Sequence, residues 1–307
     1  MPVLEPRAFA HLIAPASPPR EDTDYPAVLM AIQRDWSIRT AYAPGAPRGY
    51  LAAPDAERTS ALERALTDPE AQAVLCVRGG YGCLRLLPHL NWNALQRATP
   101  RWIVGYSDIT ALQMACWHKL GWPSITGPVA TEWPKLSRTM RNAVFRSTQP
   151  TPWTPSLPPN TSAPVSLTHG TATGPLLGGT LSVLTRLLGT PYMPDLTGAI
   201  LLLEDVQEPP YAVDRMLMHM ELAGVLDRLG GAVLGQFRLP ASVSEPTLSM
   251  DTVLADYFAD RPYPVLMNVA YGHCLPRLCL PMGVPFRLHL TPKTTSMTCY
   301  PVQESQY

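Results

Sequence analysis

Residues 101–113, RWIVGYSDITALQ, pass from an apolar run to a helical pattern through a tyrosine, a serine and an aspartate. Trp102, Ile103 and Val104 read as a short buried strand and Thr110 to Leu120 as a helix, so Ser107 falls in the turn with its hydroxyl exposed. A structural role would suit it, because Ser and Asp are preferred helix N-caps. The same alternation extends on the N-terminal side. FAHLIAP (9–15), PAVLMAIQRDW (26–36), SALERALTDPEAQAVLCVRGG (60–80) and RWIVGYSD (101–108) alternate short apolar runs with helical stretches. That is the pattern of βα units on a parallel sheet with covering helices.

A proline-rich stretch follows. PTPWTPSLPPNTSAP (150–164) can hold neither a helix nor an inner strand, so it reads as a linker between an N-terminal domain, 1–149, and a C-terminal domain, 165–307. The second half restarts with GPLLGGTLSVLTRLLG (174–189), read as a Gly-Gly turn opening a helix. GAILLLEDV (198–206) then reads as a strand and YAVDRMLMHMELAGVLDRL (211–229) as a long amphipathic helix. GAVLGQF (231–237) and PVLMNVAYGH (264–273) read as strands around a helical DTVLADYFAD (251–260), and VPFRLHLT (284–291) as a closing edge strand.

Composition excludes several classes. Lys plus Arg and Asp plus Glu both number 24 in 307 residues, so no overall field recruits nucleic acid or an anionic membrane. No signal peptide or membrane-length apolar run is read, and six scattered cysteines without a CxxC pair suit a reducing cytoplasm. A zinc site from His273, Cys274 and Cys279 would need adjacent ligands in awkward geometry, so neither a metal nor a cofactor is expected.

Three stretches each place one reactive side chain at the end of an apolar strand: Ser107 in VGYSD, Glu204 in LLLEDV and His273 in NVAYGHCLP. Ligands and catalytic groups collect at the carboxyl ends of strands in open α/β sheets. A serine hydroxyl needs a base within hydrogen-bond reach, and the base needs a third group to orient it. Each residue also has a structural alternative: Ser107 as a cap, Glu204 paired with Arg215, and His273 in a tight Gly-His turn. Period-2 alternation turns Glu204 and Asp205 to opposite faces. The order Ser, acid, His is that of α/β-hydrolases, but GYSDI has Ile109 where the nucleophile elbow needs glycine.

VRGGYG (77–82), VGYSDITAL (104–112), LLLEDVQEPPYAVDRML (201–217), GVLDRLGGAVLGQF (224–237) and AYGHCLPRLCLPMG (270–283) together resemble the LD-carboxypeptidase family. So do IAPAS (13–17) and RGYLAAPDAERTSALERAL (48–66). The family comprises serine peptidases, among them muramoyltetrapeptide carboxypeptidase and the microcin C immunity-type hydrolases. The resemblance implies an α/β fold: an N-terminal α/β sandwich built on a flavodoxin-like parallel sheet, a second C-terminal α/β domain, and an active site in the groove between them. It implies Ser107 as nucleophile, His273 as general base, Glu204 as the residue orienting His273, and the backbone N–H groups of Gly80 and Asp108 as the oxyanion hole. It further implies a cytoplasmic homodimer acting on a small peptide, a murein tetrapeptide, with release of terminal D-alanine in peptidoglycan recycling. Peptidyl- or aminoacyl-nucleotide conjugates are the alternative substrate, and a non-catalytic two-domain ligand-binding protein is the alternative class. Cys274 stands where the family usually has glycine. A carboxypeptidase must also hold the free terminal carboxylate, commonly with arginine or backbone amides, and the sequence assigns that task to no residue.

Overall fold

The βα grammar of the first 127 residues resolves into strands β1 (Phe9–Ile13), β2 (Ser37–Ala41), β3 (Ala73–Cys76), β4 (Trp102–Gly105) and β5 (Ser124–Thr126). The structure, a computed structural model, describes residues 1–43, 45–159, 161–242 and 247–301. The five strands are all parallel and lie in the order β2-β1-β3-β4-β5, which is the flavodoxin-like order. Both faces of such a sheet must be covered, and every residue of β3 and β4 is accordingly buried. Trp36 anchors one layer, its ring 4.8 Å from Phe145 and 6.3 Å from Trp133. The strand order reverses at β1 and β3, so the crevice for a ligand lies over their carboxyl ends.

The chain divides into two compact units, Met1–Pro150 with Cys279–Pro281, and Thr151–Leu278 with Met282–Pro301. Residue 160 of the stretch read as linker and residues 302–307 of the C-terminal domain lie outside the described residues. Trp153, inside that stretch, pairs with Cys299 of the second unit through reciprocal backbone hydrogen bonds of 3.0 and 2.9 Å. Strands β6 (Val165–Thr168), β7 (Gly170–Thr180), β8 (Ile200–Val206), β9 (Gly231–Arg238) and β10 (Val265–Met267) come next along the chain. Then β11 (Leu280–Met282) takes a place beside β5 in the first sheet, a return that the division at 165–307 does not anticipate. The reason is packing: the Cys279 side chain fills the space over Gly127, and Ser147 donates to the Cys279 carbonyl at 3.4 Å. Strands β12 (Pro285–Leu290) and β13 (Thr295–Cys299) complete the second sheet, ordered β13-β12-β7-β8-β9-β10-β6. Its centre, β7 to β10, is parallel and its flanks are antiparallel. Among the described residues no helix is long and apolar enough to cross a membrane.

Three sequence expectations are corrected. VPFRLHLT is not an edge strand, because Thr295–Cys299 adds outside it and buries Met297 and Cys299. PVLMNVAYGH is strand only as far as Met267, since Asn268 turns into the left-handed region at φ +62° and begins the loop that carries His273. The pair Gly178-Gly179 is not a turn but the end of the 11-residue β7. Gly178, at φ +126°, lies so close to β8 that a Cβ there would come within 3.1 Å of the Leu202 carbonyl carbon. Replacing Gly178 by Ala would combine backbone strain with this clash and should cost on the order of 2 kcal/mol or more. The denaturant midpoint measures it, and an unchanged midpoint would contradict this account of β7.

Candidate active site

In the second unit the geometry starts from a register. Thr180 at the end of β7 pairs with Glu204 on β8, while on the other side the β8–β9 ladder slips between Leu203 and Asp205, so that Gly235 and Gln236 lie opposite the single residue Glu204. Such a bulge aims a side chain away from the regular ladder. The Glu204 carboxylate is fully buried and is met by donors on both oxygens. The Thr180 hydroxyl donates to Oε1 at 2.5 Å, and the backbone N–H of His273 donates to Oε2 at 3.1 Å. His273 Nδ1 lies 2.7 Å from the same Oε2. A carboxylate offers only lone pairs, so the facing ring nitrogen is the one that carries hydrogen, leaving Nε2 as the basic nitrogen. The Arg238 guanidinium donates to the His273 carbonyl at 2.9 Å and fixes the loop from outside. Arg215, the alternative partner considered for Glu204, instead sits over the Tyr211 ring, 5.4 Å from its centroid.

Asp205 points the other way, as period-2 alternation requires. It is 2% exposed and accepts from the Ser182 backbone at 2.7 Å, the Ser182 hydroxyl at 3.1 Å and its neighbour Val206 at 2.8 Å. It therefore holds the short helix after β7 and takes no part in the Glu204–His273 pair.

In the first unit three turns meet over the carboxyl ends of β1, β3 and β4. Ser107 opens the 3-10 turn Ser107–Ile109, and neither that turn nor the following helix Thr110–Leu120 has a side-chain cap. The capping role therefore does not account for it. Ser107 instead sits at φ +65°, a conformation that non-glycine residues hold only when their surroundings impose it. Those surroundings are identifiable. A Cβ on Gly79 would lie 2.8 Å from Ser107 Cβ and 3.1 Å from its Oγ, so the first glycine of RGGYG leaves room for the serine. Gly80, at φ +103°, does the same for Ser17, whose Cβ would be 2.6 Å away. Ser17 clamps the turn further, its N–H donating to the Gly79 carbonyl at 3.2 Å and its hydroxyl accepting from the Tyr81 N–H at 3.2 Å. Asp108, 3% exposed, accepts from the Cys83 N–H at 2.8 Å and so ties the turn after β4 to the turn after β3. Burial pushes its carboxyl above the ordinary range, against the pull of that bond. Beneath, the Gln113 amide donates to the carbonyls of Gly105 and Ile125, both at 3.0 Å, and holds the ends of β4 and β5 together.

Sequence reasoning missed Ser17 and Arg58. The first lies in IAPAS, one of the stretches that carry the family resemblance. Arg58 carries no such signal, because an arginine in a helical pattern is usually solvated; here it is 3% exposed and donates to the carbonyls of Pro15, Ala53 and Gly82. Cys274 is half-buried and its thiol is pushed up by that burial. Arg277 is buried and donates to the Gly272 and Cys274 carbonyls at 3.4 and 3.5 Å.

Three groups of known proteins resemble the chain. Residues 10–127 match the family model of the LD-carboxypeptidase N-terminal domain and residues 173–288 that of the LD-carboxypeptidase C-terminal domain. A putative carboxypeptidase from Streptomyces coelicolor is 36% identical over 291 residues, covering 93% of this chain and 91% of that protein. A probable murein peptide carboxypeptidase from Bacillus subtilis is 34% identical, covering 92% and 89%. The crystal structure of muramoyltetrapeptide carboxypeptidase from Oxalobacter formigenes superimposes with a TM-score of 0.80 at 27% identity, over 96% of this chain and all of that one (100%).

Asp205 gives a pH signature. Burial lifts its carboxyl to about 6, against the hydrogen bonds it accepts. The folded chain thus holds this proton more tightly than the unfolded chain, where aspartate titrates near about 3.9. Between these values the folded state carries more protons, so stability falls as pH rises through the window. Asp205→Asn has no charge to bury, and from about pH 4 to 6.5 its stability relative to the parent should improve by on the order of 1–3 kcal/mol. Chemical denaturation at several pH values reads this, and a constant difference would contradict it.

Proposed function

The chain belongs to the LD-carboxypeptidase family, and on that premise we propose that it is a serine carboxypeptidase releasing the terminal D-alanine of a murein tetrapeptide. The bond cut is the amide between the L-centre of a diamino acid and D-alanine. The observation that carries this reading is the Glu204–His273 pair, a fully buried carboxylate on Nδ1 at 2.7 Å. That pair leaves Nε2 basic and orients it, as a general base for a serine requires. The 34% identical murein peptide carboxypeptidase and the muramoyltetrapeptide carboxypeptidase of known structure support the choice of substrate.

Ser107 attacks the scissile carbonyl, its left-handed backbone presenting the hydroxyl above Gly79. Nε2 of His273 takes the hydroxyl proton and gives it to the departing amine of D-alanine, and water then hydrolyses the acyl-enzyme by the same exchange. Backbone N–H groups of Gly80 and Asp108 take the negative charge that develops on the carbonyl oxygen. Both come from turns that other side chains lock, so they need no reorganisation as that charge forms. The reading needs neither a metal nor a cofactor. It places the enzyme in the cytoplasm, in keeping with six cysteines that form no disulfide, and makes it a homodimer, as the family resemblance implies.

Purified protein incubated with tetrapeptide should liberate free D-alanine, and Ser107→Ala should lower turnover by on the order of 10⁴-fold or more without lowering the melting temperature. Release that persists in Ser107→Ala would remove the serine from the mechanism. A parent enzyme that spares the tetrapeptide but cleaves a peptidyl-nucleotide would replace the substrate.

A further inference from the structure

The loop that Ser17 anchors opens onto a cleft of about 530 Å³ in the first unit, lined by Ser17, Arg20, Glu21, Asp22, Tyr50 and Arg78 among others. It lies at the carboxyl ends of β1 and β3, where the strand order reverses and a ligand crevice is expected. Arg78 directly precedes Gly79 and Gly80. One of its guanidinium nitrogens donates to the Pro18 carbonyl at 3.0 Å, which holds the group on this loop instead of letting it swing free in solvent. Partial burial and the facing charge of Arg20 both push the Arg78 guanidinium below its ordinary value, so the two cations share one space. Among the described residues neither forms an ion pair, whereas Arg58 and Arg85 of the same unit pair with Asp55, and Arg39 with Asp68. Glu21 and Asp22 are exposed and pair with neither.

Two guanidiniums that line one cleft and form no ion pair repel each other, and a planar anion accepting from both relieves that repulsion. We propose that Arg78 and Arg20 form a carboxylate subsite that takes the free C-terminal carboxylate of the peptide. The subsite rests on the carboxypeptidase reading above. In the departing residue the carboxylate carbon lies two bonds beyond the scissile nitrogen, and Arg78 is two residues from Gly80, whose N–H faces the scissile carbonyl oxygen in that reading. The cation thus stands on the loop that also carries the proposed oxyanion-hole N–H. It would select peptides by their free end and exclude internal amide bonds.

Binding to the full chain carrying Ser107→Ala tests this independently of turnover, with calorimetry of the tetrapeptide and of its C-terminal carboxamide. The acid should bind about 10-fold or more tighter than the amide, as expected for lost charge-assisted hydrogen bonds. Adding Arg78→Gln should weaken the acid by about 10–100-fold and leave the amide within roughly 2-fold, erasing the preference. Adding Arg20→Gln, at an exposed position that leaves the fold intact, should weaken the acid in the same direction by less, and Arg78→Lys should keep part of the preference. Equal binding of acid and amide, a preference that survives Arg78→Gln, or no binding of either overturns the subsite. D-Alanine release by the parent enzyme is scored separately, so loss of the subsite and loss of the activity are read from different measurements.

Discussion

A carboxylate with no exposure at all is tolerated only when donors fill its lone pairs, and Glu204 sets that demand on the whole second unit. Three donors from two distant stretches answer it. Thr180 must reach the end of β7 in register, which the close packing of β7 on β8 permits, and the loop after β10 must bring both the backbone and the ring of His273 to one oxygen. The bulge opposite Glu204 belongs to the same arrangement, because it is there that the ladder gives up regular pairing. Removing any one donor would leave a buried charge short of partners. The imidazole is thereby oriented by the same bonds that stabilise the fold.

The first unit solves a related problem with backbone groups. Turns after parallel strands expose carbonyls and amides that no ladder satisfies. Ser17, Arg58 and Asp108 bond these groups across from one turn to the next, with Arg58 alone reaching Pro15, Ala53 and Gly82. Because each turn is held by its neighbours, Ser107 is kept in a conformation that it would not choose by itself. The strain and the rigidity have one origin, the bonds that hold each turn to its neighbours.

Much of this was legible in the sequence because it was local. Apolar runs of four or five residues before turn signals marked β1, β3, β4 and β8, and the Ser107, Glu204 and His273 stretches stood out by their chemistry, although His273 lies on a loop beyond its strand. What escaped was set by partners far along the chain. Gly178-Gly179 has the composition of a turn, and only the close approach of Leu202 makes it strand. VPFRLHLT reads as an edge until the polar Thr295–Cys299 is seen to pair with it, and Cys279 looks like core of the wrong unit. Arg58 and Arg78 cannot be told from solvated arginines without knowing which carbonyls surround them. Short-range pattern finds elements and reactive groups, whereas satisfaction of buried polar groups is a property of the assembled chain.

The account turns on which nitrogen of His273 bears hydrogen. Nitrogen-15 NMR of the imidazole, recorded at a pH where the ring is neutral, distinguishes the two tautomers directly. A protonated Nδ1 with a strongly downfield proton, and an unprotonated Nε2, is the predicted result. Hydrogen resident on Nε2 would mean that Glu204 does not orient the ring, and the proposed base would have no lone pair to receive a proton.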